Sequence, residues 1–101
     1  NHTNASGVFS KSVLDKAVPG YYHRYEVDTG AIVRETCCDD TEPRNVMMEK
    51  FMKDSLLMWT EHYKYDSFRF DIMSQATKDT MVRLRDAVHS IDDLSMISGF
   101  I

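Results

Sequence analysis

The chain has 101 residues, 43% of them apolar and 11% aromatic, which is room for one small domain and not two. With 28% charged residues it falls outside the low-hydrophobicity disordered class, and its longest strictly apolar run, Leu56-Leu57-Met58-Trp59, is far short of the roughly 20 residues a membrane-spanning helix needs. The net charge of -4, with Lys and Arg scattered among acids, excludes nucleic acid as an expected partner.

The first residue is Asn, and no charged-then-apolar leader precedes the body. The chain is therefore expected to be processed or an excerpt of something longer. Residues 1 to 45 lack sustained periodicity and read as a loop region. Pro19-Gly20 and Thr29-Gly30 are turn signals. Loops this long inside compact domains are often functional. Two pieces interrupt this one, Tyr21-Tyr22-His23-Arg24-Tyr25 and Ala31-Ile32-Val33, and each is a candidate short strand. Asn1-His2-Thr3 and Asn4-Ala5-Ser6 match the glycosylation sequon, a pattern that matters only in a eukaryotic secreted chain.

The two cysteines are neighbours, Cys37-Cys38. A bond between them closes a tight ring, against ordinary disulfide geometry. Free thiols or small buried residues are expected, with a strained vicinal disulfide as the alternative. Cys37, Cys38, Asp39, Asp40, His2 and His23 offer ligand atoms, but no CxxC or HxxxH spacing organises them. No metal site and no cofactor is expected.

Residues 46 to 63 read as a helix. Met47, Phe51 and Leu57 or Met58 form one apolar row; Met48, Met52, Trp59 and Tyr63 form another. Glu49-Lys53 and Lys50-Asp54 are opposite charges four apart. Thr41 or Asn45 is the expected cap, with Pro43 near the first turn. Residues 65 to 72 read as a strand, with Phe68, Phe70 and Ile72 on one face and Ser67, Arg69 and Asp71 on the other. Residues 77 to 91 read as a second helix, carrying Met81, Leu84, Val88 and Ile91 at helical spacing, capped by Thr77, with Asp79 at the positive end. The apolar tail from Leu94 is a candidate further strand. A strand between helices predicts an α/β unit with a parallel sheet.

Strands of parallel sheets are ordinarily apolar on both faces. This one carries Arg69 and Asp71 two apart on one face. An internal ion pair is one reading. Catalysis is the other, because active groups in parallel α/β folds gather at the C-terminal ends of strands. A neighbouring guanidinium keeps a carboxylate ionised. An ionised, oriented carboxylate is what attack on a sugar carbon requires.

Asn1-His2-Thr3 resembles the end of the first short signature of the alpha-amylase superfamily. Residues 65 to 73, YDSFRFDIM, resemble its second signature, in which an Arg lies two residues before the nucleophilic Asp. KSVLDKAVPGYYHRY, the TCCDDT stretch and MMEKFMKDSLLMW resemble the pullulanase branch of the debranching enzymes. The resemblance runs from Asn1 to about Ile91, in order and with matching spacing.

The resemblance implies a fragment of a (β/α)8 TIM barrel, from the end of the third strand through the fourth helix. It implies a retaining glycoside hydrolase acting on α-1,6 branch linkages in pullulan, starch or glycogen-type α-glucans. Asp71 becomes the nucleophile, and Arg69 orients it and keeps it ionised. His2 binds the sugar at the cleavage subsite, and Tyr21 and Tyr22 line the groove. Three departures stand out. Ser67 and Ser74 occupy positions where the family usually has Gly. No Glu follows Glu61, so the general acid is missing. The isolated chain is expected to be inactive and to require the remainder of the barrel. The alternatives are a non-catalytic carbohydrate-binding module, motivated by Tyr21, Tyr22 and Tyr25, and a structural α/β module.

Overall fold

Thr77 starts the best-defined element. In the computed structural model, which describes residues 2–3 and 5–100, its Oγ1 accepts the Thr80 N–H at 3.1 Å and caps helix α3, Lys78–His89. The preceding helix, α2, spans Val46–Glu61. Between them lies strand β3, Ser67–Phe70, and after α3 comes β4, Met96–Gly99. β3 and β4 pair in parallel, with Phe68 opposite Ile97 and Phe70 opposite Gly99. The tail is thus a strand, and β3–α3–β4 is a parallel crossover unit. The strand is shorter than expected at both ends. Ile72 takes a left-handed conformation (φ 51°), so it turns the chain instead of extending β3. A 3-10 turn, Met73–Gln75, follows.

The core is small. Met48, Met52 and Leu56 of α2 meet Leu84 and Val88 of α3. Phe68, Phe70 and Ile97 pack onto that cluster from the sheet. One face of the β3–β4 pair is therefore covered by helices. This decides between the two apolar rows of α2. Met48 and Met52, with Leu56, face inward, whereas Met47, Phe51, Met58, Trp59 and Tyr63 are exposed. Ile91 of the second helical row is also exposed, because α3 ends at His89 and the chain turns away. The charge pattern changes as well. Lys50 pairs with Asp54 as expected, but Glu49 reaches across to Arg83 at 2.8 Å and joins α2 to α3.

Residues 2 to 45 hold more structure than the sequence suggests. Strand β1, His2–Thr3, pairs antiparallel with β2, Asp39–Asp40. A short helix, α1, spans Val13–Ala17. Tyr25 bridges Ile32, and His23 bridges Thr41, so both candidate pieces contribute single bridges to a folded loop. The expected side-chain cap at Asn45 is replaced by a tether. Asn45 Nδ2 donates to the Tyr21 carbonyl at 2.7 Å, and the Tyr21 hydroxyl accepts the Met47 N–H at 3.0 Å. Tyr21 thereby satisfies one of the open donors that every helix start presents. Asn1 and Asn4, the sequon asparagines, lie outside the described residues.

Candidate functional site

Of the five residues singled out from the sequence, Arg69 and His2 stand on strands, Asp71 follows one, and Tyr21 and Tyr22 lie in the loop before α2. Arg69 lies on β3 on the face turned away from the helices, since Phe68 and Phe70 face them. Asp71 follows the strand's C-terminal end and is exposed. The next residue, Ile72, is β-branched and left-handed, a conformation that costs about 1–3 kcal/mol and clusters at functional sites. The Arg69 guanidinium sits 4.5 Å from the centre of the Phe100 ring, a cation–π contact with the segment just past β4.

His2 lies on β1, half-buried, opposite Asp40. Its Nδ1 is buried without a hydrogen-bond partner. Its ring nitrogen and the sulfurs of Cys37 and Cys38 all lie within 4.8 Å of one another. The cysteines are joined to each other. The expectation of free thiols is corrected here: the bends through 35–38 hold the two sulfurs together despite the strain of a bond between neighbours.

Tyr21 and Tyr22 meet edge to face, with centroids 4.9 Å apart. Both serve the fold. Tyr21 seats the start of α2, and Tyr22 packs against the core.

A buried polar network joins these regions. His23 Nε2 and Thr3 Oγ1 are 2.7 Å apart, which fixes β1. His23 Nδ1 lies 3.2 Å from Asp15 Oδ2, off line for a full hydrogen bond. Asp15 also accepts the N–H groups of Gly7 and Gly20, the latter at 3.0 Å. Burial pushes the Asp15 carboxyl up, but these donors and the His23 charge outweigh it and leave it below its ordinary 3.8. Asp39 is also lowered: burial opposes, and hydrogen bonds from Ser6 and Arg34 prevail. Arg24 donates to the Gln75 carbonyl at 2.7 Å and to Glu42 at 3.3 Å. That places a cation from the loop on the turn immediately after Asp71.

No profile of a known protein family matches the chain. Individual proteins do. A pullulanase of Klebsiella pneumoniae is 42% identical over 93 residues, 91% of this chain and 8% of its own length. Pullulanase 1, chloroplastic, of Arabidopsis thaliana is 45% identical over 92 residues, 90% of this chain and 9% of its own. The crystal structure of PulA from Klebsiella oxytoca superposes with a TM-score of 0.94 at 40% identity, over 98% of this chain and 10% of that one. The chain is homologous to the pullulanases. It spans about a tenth of the length of the relatives it matches.

Within this pullulanase-homologous segment, the sequence reading missed Asp15, Arg24 and Glu42. The available signal was compositional: acids and bases at 15, 23, 24 and 42 inside an otherwise turn-rich stretch. Charges that survive burial are ordinarily paired. It also missed an exposed ring cluster. Trp59 lies 4.8 Å from Tyr63 and 5.3 Å from Tyr65, centre to centre. Trp59 and Tyr65 line a shallow cavity of about 310 Å³ with Ser67, Phe68 and Arg69. Asp71 is not among the residues that line this cavity.

Proposed function

We propose that this chain is part of a pullulanase-like glycoside hydrolase that cleaves α-1,6-glucosidic branch linkages in pullulan, starch or glycogen-type α-glucans with retention. The observation that carries the reading is the layering around β3. Helices cover one face, Arg69 stands on the other, and Asp71 follows at the C-terminal end. In a (β/α)8 barrel, helices lie outside, the opposite strand face looks inward, and chemistry collects at the C-terminal ends. The chain then corresponds to the end of the third strand through the fourth helix of such a barrel, in the alpha-amylase superfamily.

In this reading Asp71 attacks the anomeric carbon. A carboxylate C–O bond forms as the glycosidic C–O bond breaks, and an acid from elsewhere in the barrel protonates the leaving oxygen. Water then releases the sugar on the same face it left from. Arg69 orients Asp71 and keeps it ionised. His2 binds the sugar at the cleavage subsite, and Tyr21 and Tyr22 stand at the groove. An oligosaccharide partner is supported by the solved Klebsiella pneumoniae pullulanase complexed with maltotriose, which matches 98% of this chain at a TM-score of 0.94. No Glu follows Glu61, so the general acid and the rest of the barrel come from outside these residues.

The test is a chimera. Residues 2 to 91 replace the matched segment of the Klebsiella pullulanase, and reducing-sugar release from pullulan is followed. Activity is expected, and Asp71→Asn in the chimera is expected to lower kcat by about 10⁴-fold or more. Equal activity of the two chimeras would remove Asp71 from the mechanism.

A further inference from the structure

We propose that reducing the Cys37–Cys38 disulfide opens a soft-metal site made of the two thiolates and the His2 imidazole. Three observations bear on this site. The donor atoms of His2, Cys37 and Cys38 lie within 4.8 Å of one another. The His2 Nδ1 is a buried polar atom with no hydrogen-bond partner. Burying such an atom without a partner is costly and calls for a reason. The two sulfurs are bonded to each other, so neither is a thiolate ligand while the bond lasts.

The chemistry balances simply. A dithiol reductant exchanges with the disulfide, gaining its own disulfide and leaving two thiols on the protein. Two electrons and two protons move in that step. A divalent cation then displaces both thiol protons and takes the neutral imidazole as a third donor. Tetrahedral zinc, with bonds near 2.3 Å to sulfur and 2.0–2.1 Å to nitrogen, sets its donors about 3.5–3.8 Å apart. The gap from 4.8 Å closes by side-chain rotation in bends where Cys37 is exposed. Two sulfurs and one imidazole select zinc, cadmium or cuprous copper over calcium or magnesium. Three protein donors leave the fourth position to solvent.

β1 holds the third donor in register. His2 pairs across from Asp40, two residues after Cys38, while Thr3 is fixed by His23. Of the neighbouring carboxylates, Asp39 is engaged, and Asp40 through one oxygen only, its Oδ1 being buried without a hydrogen-bond partner. Asp39 is bound by Arg34 at 2.5 Å, and Asp40 accepts the Glu35 N–H at 3.3 Å. The site is therefore a product of the fold and not only of the Cys-Cys dipeptide.

The experiment uses the 101-residue chain, whose only cysteines are these two. Chain reduced with a phosphine, and unreduced chain, are titrated anaerobically with cadmium alone. The thiolate-to-cadmium charge-transfer absorbance is read against a competing chelator. The expected result is a band saturating at one cadmium per reduced chain and missing from the oxidised chain. His2→Ala is expected to weaken binding at least about tenfold, while His62→Ala, which removes an exposed histidine, leaves it unchanged. Wild-type affinity is expected to fall by a similar factor in unfolding urea. Identical titrations before and after reduction would overturn the proposal. So would His2→Ala matching wild type, or equal affinity in urea and in buffer.

Discussion

At the residue scale, Asp15 gathers several partners in a buried setting. It is 4% exposed and holds two backbone donors, with His23 and the Tyr25 hydroxyl close by. Its folded pKa is lowered, as are those of Asp39 and Glu42. The folded state therefore binds fewer protons than the unfolded one in the acid range. Their stabilisation is complete above the ordinary carboxylate range and is lost as pH falls through the lowered folded values. Urea midpoints measured from neutral pH downward should show that loss. Asp15→Asn should flatten part of the acid limb and cost about 1–3 kcal/mol at neutral pH, because buried donors lose their charged acceptor. An unchanged acid limb in the variant would assign the pH dependence elsewhere.

The element scale explains what could be read from the sequence and what could not. α3 was legible because cap and period agree: Thr77 bonds Thr80, and Leu84 and Val88 recur four apart and are fully buried. β3 was legible through the alternation of Phe68 and Phe70 with Ser67 and Arg69. Its end was not, because the left-handed turn at Ile72 contradicts the preference of a β-branched residue. In α2 two apolar rows competed, and only packing against α3 chose Met48 and Met52. β1 and β2 have two residues each, too few for any periodicity. For the candidate site, Arg69 and Asp71 were visible as polar residues in a parallel strand. Asp15, His23 and Arg24 gather only through pairings across the loop.

Gly99 makes a test at the same scale. A Cβ there would lie 2.6 Å from the Phe70 carbonyl oxygen and 2.8 Å from Met73 Cε. The methionine can move, but the carbonyl belongs to the strand paired with Gly99. Gly99→Ala must therefore spread β3 from β4, at about 1–3 kcal/mol. Thr77→Ala, which removes only the α3 cap, should cost about 1 kcal/mol. Urea unfolding of both variants checks the order. A neutral Gly99→Ala would mean that the β3–β4 pair is looser than described.

For the whole molecule, the balance of surface and core matters most. The Cα radius of gyration is 14.2 Å, above the value near 13 Å of a compact domain of about 100 residues. Among the described residues five apolar side chains form the buried core, while Phe9, Phe51, Trp59, Leu94, Met96 and Phe100 are exposed. The parallel pair β3–β4 is covered on one face alone, although parallel sheets are ordinarily covered on both, and two strands rarely stand by themselves. In the proposed barrel, closure over the Arg69 face would cover that surface and supply the general acid. Purified alone, the chain should release no reducing sugar from pullulan. It should bind a hydrophobic dye such as ANS and associate as its concentration rises, because unpaired edges and apolar patches favour contacts between copies. Light scattering across a concentration series, run beside the sugar assay, measures both. Release of sugar that Asp71→Asn abolishes would mean these residues carry their own acid. A dye-silent monomer would mean the open face needs no barrel to cover it.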